Sequence, residues 1–143
     1  MAVAAEGVRV PVSRVRVAET AELVLRAERI RAAELSITFV TDRHIATLNR
    51  EHLGHAGATD VITFVFSASH AGDPVRGDVY IAPVVARRNA RAHGAGVREE
   101  LLRLVVHGVL HVAGHVHPED GTRTHSPMWR RQELLLRRVM AAA

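Results

Sequence analysis

Along the stretch His107-Gly-Val-Leu-His111-Val-Ala-Gly114-His115-Val-His117, histidines recur at a spacing that suits metal ligation. His107 and His111 are four positions apart, so on a helix their imidazoles leave one face, one turn above the other. Gly114 can end that helix with a left-handed backbone that side chains bearing a Cβ resist. The turn then carries His117 back towards the pair, and Pro118 opposes any return to helix. Three imidazoles that leave one coordination position open form the donor set of a catalytic zinc, whose bound water is a usable nucleophile near neutral pH. Most other residues here are Val, Ala, Leu or Gly, and an apolar surround is what a metal pocket requires. With ten histidines in the chain a lone i, i+4 pair would carry little meaning; three on one helix-turn element carry more.

The spacing H-x3-H-x2-G-x2-H is similar to the zinc-binding run of the metzincin proteases, which place Glu directly after the first histidine. Gly108 stands there in this chain, so the carboxylate that serves peptide hydrolysis as general base is missing and a protease is disfavoured. The proton acceptor must come from elsewhere or not be needed; His115 is the nearest candidate, though its position suits a supporting or solvent-facing role better. Asp60 and Asp78 fall on strands, where an acid more often serves a turn or cap. Glu133 could orient a ligand histidine through its second ring nitrogen, although an ordinary helix-surface carboxylate is the commoner case. Arg50, Arg87, Arg88 and Arg91 are candidates to meet phosphates, because the guanidinium fork matches phosphate oxygens.

These residues need a scaffold to hold them. Val8 to Val12 reads as a strand, Val17 to Arg29 as a helix, and Ala33 to Val40 as a strand by alternation. Thr41-Asp42 is a helix start, with Ile45 and Leu48 facing inwards. His52 to Ala58 reads as a loop. Thr59 to Phe66, β-branched or aromatic at most positions, is the strongest strand in the chain. A loop is expected over Ser67 to Arg76, then a strand over Gly77 to Ala82 and an arginine-rich helix over Val84 to His93. The histidine-bearing helix covers Glu99 to Ala113, with two acids well placed in its first turn. A loop to Pro127 and an amphipathic helix over Met128 to Met140 close the chain. The order βαβαββααα predicts an α/β or α+β layer, a small sheet covered by helices.

Composition narrows the classes further. The length suits one domain, residues 1–143, with a real hydrophobic core. No run of about 20 residues lacks a charge or histidine, so no membrane span is expected. The N-terminus has neither a basic start nor a long apolar run and is not read as a secretory signal. With no cysteine, a transition metal must be held by His and carboxylates, which is compatible with a cytoplasmic location. All nineteen basic side chains are arginine, and the net charge of +4 permits a polyanionic partner without requiring one. Phe39, Phe64, Phe66, Tyr80 and Trp129 are too few for base-stacking platforms of the RRM or OB type.

Two separated motifs resemble one family. The histidine run is similar to the H-G-x-L-H-L-x-G-[YF]-D-H signature of the YbeY-type rRNA maturation factors, bacterial metal-dependent endoribonucleases. Leu48-Asn49 followed by Thr59-Asp60-Val61-Ile62-Thr63-Phe64 resembles their L-N-x-x-Y-R…T-D-V-L-S-F block. Gly77-Asp78-Val79-Tyr80-Ile81 is similar to their G-D-I-x-I strand, and Met128-Trp129 with Glu133-Leu134 to their closing helix. The resemblance implies a zincin-like fold, with His107, His111 and His117 as ligands of one zinc ion. It further implies cytoplasmic action on single-stranded rRNA at the small ribosomal subunit, in 16S 3′-end maturation and ribosome quality control. The chain departs from the pattern at Leu53, where the family has an arginine thought to serve RNA cleavage, and at His52, where it has a tyrosine. His55 and Ala56 replace charged loop positions, and His115-Val116 replaces Tyr-Asp. A zinc endoribonuclease is the first expectation. The alternative is a ribosome-associated zinc-binding factor with weak or no nuclease activity, which Leu53 favours. A metallohydrolase acting on another substrate, such as a peptide, is disfavoured by Gly108.

Overall fold

The computed structural model describes residues 1–66, 70, 72–116 and 126–142. In these the chain runs β1 (Ala2–Ala5), α1 (Arg14–Ala27), β2 (Ala33–Phe39), α2 (Asp42–Leu53), β3 (Val61–Phe66), β4 (Val75–Ile81), α3 (Pro83–Ala92), α4 (Val97–Val112) and α5 (Pro127–Ala141). This is the expected order, an α+β fold. The strands form one mixed sheet, β1-β2-β4-β3. β1 runs parallel to β2 and β2 to β4, while β3 returns antiparallel along the free edge of β4 with Val61 opposite Ile81.

Alternation sorts the sheet's two faces. Leu35, Ile37 and Phe39 of β2 and Val79 and Ile81 of β4 turn towards one core with Val24 of α1, Val105 and Val109 of α4 and Leu135 of α5. Ile62, Phe64 and Tyr80 turn the other way, packing with Ile45 and Leu48 of α2 and Val85 of α3. Each fully buried Val, Leu or Ile contributes about 1.5–3 kcal/mol relative to leaving it in water. The starts of α1, α2 and α5 are set by hydroxyls. Ser13, Thr41 and Ser126 accept from the backbone N–H of Arg16, His44 and Trp129 at 3.0, 3.0 and 3.1 Å.

Several boundaries differ from expectation, and three bear on the elements around the site. The first strand lies at Ala2–Ala5, paired with Ser36 to Phe39, and not at Val8 to Val12. Val8, Val10 and Val12 pack against the main core from irregular backbone, so their alternation reports burial and not a ladder. Pro11, with no N–H, is a poor strand residue in any case. His52 and Leu53 belong to α2, which stops only at Gly54, and Val75 and Arg76 belong to β4.

The contact that matters most for the site is that of α4 on the sheet. A Cβ built on Gly108 would lie 2.6 and 2.9 Å from the two methyls of Val79, and one built on Gly77 would strike Val112 and sit 2.9 Å from the Phe64 carbonyl oxygen. Gly108 receives Val79 from the sheet, and Gly77 receives Val112 from the helix. The two elements therefore approach more closely than side chains at either glycine position would allow.

Candidate functional site

His107 and His111 leave the final turns of α4, their ring centroids 4.7 Å apart and their planes at 73°. His107 is buried and His111 half-buried. The carbonyl end of a helix carries partial negative charge, which favours a cation there. The helix ends as the sequence predicts. Gly114 adopts φ +106°, its N–H donates to the His111 carbonyl, and the His115 N–H reaches back to the Leu110 carbonyl, both at 3.0 Å. This crossed pair of bonds is the Schellman termination. His117, Pro118 and the rest of 117–125 lie outside the described residues. Among the described residues no three His, Cys, Asp or Glu side chains form a metal-holding group.

α5 supplies the residue that the sequence reading missed by one position. Gln132, fully buried, places its Oε1 2.6 Å from His107 Nδ1. The amide's orientation is fixed from its other end, where Nε2 donates to Glu133 Oε2 at 3.1 Å, because a carboxylate only accepts. Oε1 can only accept in turn, so Nδ1 of His107 is the donor, and in the neutral ring this leaves the lone pair on Nε2, the form in which an imidazole ligates a metal. Glu133, the candidate orienter, instead holds Arg103 through Nε and Nη2 at 3.0 and 3.2 Å, while Arg103 Nη1 donates to Glu100 at 2.8 Å. Burial alone would weaken the guanidinium's hold on its proton. The bonds and charges of Glu133 and Glu100 reverse that and keep Arg103 charged.

A cleft of about 540 Å³ opens beside His107, and its lining includes Asp60, Asn89, Arg103, Trp129 and Gln132. Asp60 stands just before β3, where Oδ2 accepts from Asn89 Nδ2 at 3.2 Å and its backbone carbonyl accepts from the Ala82 N–H at 2.9 Å. Asp78 is placed elsewhere, on β4, and accepts from Ser36 Oγ at 2.6 Å.

His115 faces α1. Its Nε2–H donates to Glu28, whose second oxygen takes Arg131 Nε at 2.9 Å. Burial would push the Glu28 carboxyl up; the hydrogen bonds from His115 and Arg131, with their charges, outweigh it and hold Glu28 below its usual range. The cluster ties the turn after α4 to α1 and α5. Arg50 on α2 and Arg87, Arg88 and Arg91 on α3 are exposed, and none is among the described residues lining the cleft. Arg88 lies 3.7 Å from Asp42. Leu53 is 46% exposed at the end of α2.

A histidine pair at the end of a helix seated on a small mixed sheet, beside a cleft, defines a zincin-like α+β protein. The chain belongs to the endoribonuclease YbeY family, whose model matches residues 6–140. It is 37% identical over 99 residues to the endoribonuclease YbeY of Chloroherpeton thalassium, covering 69% of this chain and 68% of that one. The Aquifex aeolicus relative is 35% identical over 106 residues (74% and 71%), and that of Chlorobaculum parvum 32% over 126 (88% and 86%). Among solved structures, the solution structure of TM1509 from Thermotoga maritima superimposes with a TM-score of 0.69 at 26% identity, covering 99% of this chain and 90% of that one. No helix among the described residues is long and apolar enough to cross a membrane.

Proposed function

We propose that residues 1–143 act as one zinc-dependent endoribonuclease domain, cleaving single-stranded rRNA in 16S 3′-end maturation and ribosome quality control. Its place of action is the cytoplasm, at the small ribosomal subunit. One observation carries the chemistry: His107 and His111 face each other across one helical turn, and Gln132 sets the His107 tautomer with its lone pair on Nε2. That donor set fits a zinc ion, with His107, His111 and His117 as the residues that would hold it. When bound, the ion would supply Lewis acidity towards a phosphoryl oxygen or a water of lowered pKa. RNA as substrate is supported by family membership and by the name the relatives carry.

The chain's own residues set the conditions for that chemistry. Gln132 locks the His107 ring in place. Val106, Val109 and Leu110, all fully buried, keep water from the helix behind the pair. The exposed Arg50, Arg87, Arg88 and Arg91 are suited to phosphates of a strand crossing α2 and α3. His115, bonded to Glu28, holds the turn that leads towards His117.

A ribosome-associated zinc-binding factor with weak or no nuclease activity is the second reading, and Leu53 favours it. The deciding experiment is cleavage of single-stranded RNA by purified protein, with and without a chelator, beside His111→Ala. Cleavage lost in both controls is the expected result, and a 2′,3′-cyclic phosphate on the products would assign the RNA 2′-OH as nucleophile. No cleavage by zinc-loaded wild type would give the second reading, and cleavage persisting in His111→Ala would refute the metal assignment.

A further inference from the structure

The cleft beside His107 has wall chemistry that phosphodiester cleavage does not by itself require. Part of its lining is Trp129, the chain's only tryptophan, half-buried on α5. Another part is Arg103, but Glu100 and Glu133 bind its guanidinium from two sides, so it brings no surplus positive charge. Asp60 adds a carboxylate. This wall repels a phosphate and favours an uncharged ring that can stack and donate hydrogen bonds. At about 540 Å³ the cleft falls within the usual range for small-molecule sites.

Resting on the reading of this protein as an RNA nuclease, we propose that the cleft is a nucleobase subsite that selects guanine. In it Trp129 stacks on the base and Asp60 accepts from its Watson–Crick edge. The selectivity follows from counting lone pairs. Asp60 Oδ2 already accepts from Asn89 at 3.2 Å, and Thr59 Oγ1 lies 3.5 Å from Oδ1. Each carboxylate oxygen has two lone pairs, so each keeps one for a ligand. Guanine alone among the four bases presents two adjacent donors, N1–H and the N2 amino group, to that pair. Adenine and cytosine set an amino group beside an acceptor, which a carboxylate repels, and uracil flanks its one N–H with two carbonyls. Stacking on Trp129 serves any base and supplies affinity without choice. Asn89, by donating to Asp60, holds the carboxylate in its reading position.

The test uses the full chain and the fluorescence of its single tryptophan. GMP, IMP and AMP are titrated separately; IMP differs from GMP only by the missing 2-amino group. Quenching of Trp129 by GMP at about tenfold lower concentration than by IMP is expected, the size of one charge-assisted hydrogen bond at a half-exposed site. In Asp60→Asn the GMP-to-IMP ratio is expected to fall to about 1. Absence of quenching by GMP, or equal quenching by all three nucleotides, overturns the subsite. Wild-type cleavage of an RNA and its guanosine-to-inosine counterpart separates this from the nuclease reading. Cleavage of both at one rate, with no selective quenching, removes the subsite and leaves the nuclease. Selective quenching without any RNA cleavage supports the subsite and removes the nuclease.

Discussion

Gly108→Ala sets two opposing effects against each other, and the structure decides the sign. Helix propensity alone favours alanine over glycine inside a helix by about 1 kcal/mol. The new methyl, however, would lie 2.6 and 2.9 Å from the two methyls of Val79, where carbon atoms prefer about 3.5–4.0 Å. Val79 is fully buried, and a β-branched side chain has little rotamer freedom with which to yield. α4 cannot back away cheaply, because Val112, one turn on, rests on Gly77. Overpacking of this kind costs about 1–3 kcal/mol, and the rigid contact places it at about 2–3. The net expectation is a loss of about 1–2 kcal/mol. With a urea slope of about 2 kcal/mol per molar, the unfolding midpoint should fall by about 0.5–1 M at unchanged slope. The measurement belongs in chelator, so that metal binding does not add to the folded state's stability. Val79→Ala removes the opposing methyls, so the double variant should lose less than the sum of the single ones. A Gly108→Ala protein as stable as wild type, or more so, would refute the close seating of α4.

Gln132→Leu leaves the His107 Nδ1 proton buried without its acceptor and the tautomer unfixed; zinc affinity, measured by chelator competition, should fall roughly 10–100-fold. An unchanged affinity would mean that Gln132 does not orient His107. Glu28→Gln removes a carboxylate whose folded pKa lies below its ordinary 4.5, so the stability it contributes is present above that value and is lost as pH falls towards the folded one. The variant should lose about 2 kcal/mol at pH 7 and progressively less as pH is lowered below 4.5, read from urea midpoints; a loss that does not change with pH would count against the ion cluster. Leu53→Arg puts the family's charge back on an exposed helix end and should raise cleavage of single-stranded RNA roughly severalfold, less so as salt increases. Unchanged turnover would show that this position does not meet the RNA.

How much of this was legible beforehand depends on whether a feature is local. The element order followed from periodicity and capping residues, and the His107–His111 pair and the Gly114 stop are properties of a single helix and its end. β1 was not legible, because an alanine-rich edge strand is defined by its pairing with β2, while the valines at 8, 10 and 12 imitate a strand by packing irregularly. Gln132 was not legible either. The sequence pointed to Glu133 on the correct helix, but one residue is a rotation of about 100°, enough to exchange the side chain facing His107 for the one facing Arg103. Asp60 read as a turn residue. Only the approach of β3 to α3 and α4 makes it part of the cleft. Gly108 was visible as a missing carboxylate, yet its packing role depends on Val79, which lies on another element.

That packing role bears on the chemistry. On α4 the residues that face the candidate metal site and those that seat the helix are neighbours: His107 beside Gly108, His111 beside Val112. A helix advances about 100° per residue, so each pair sends one side chain to the site and the next to the sheet. A glutamate at 108 would have to place its Cβ within 2.6 Å of a Val79 methyl before its carboxylate could reach anything. The fold thus excludes a base at the position where the metzincin proteases, similar in histidine spacing, keep theirs, for a reason that has nothing to do with substrate. Any proton acceptor used here must come from another element, or from the substrate itself. A 2′-hydroxyl of RNA, like the water of peptide hydrolysis, must give up its proton as it attacks, so for either nucleophile the close seating of α4 on Val79 puts the acceptor at a position other than 108.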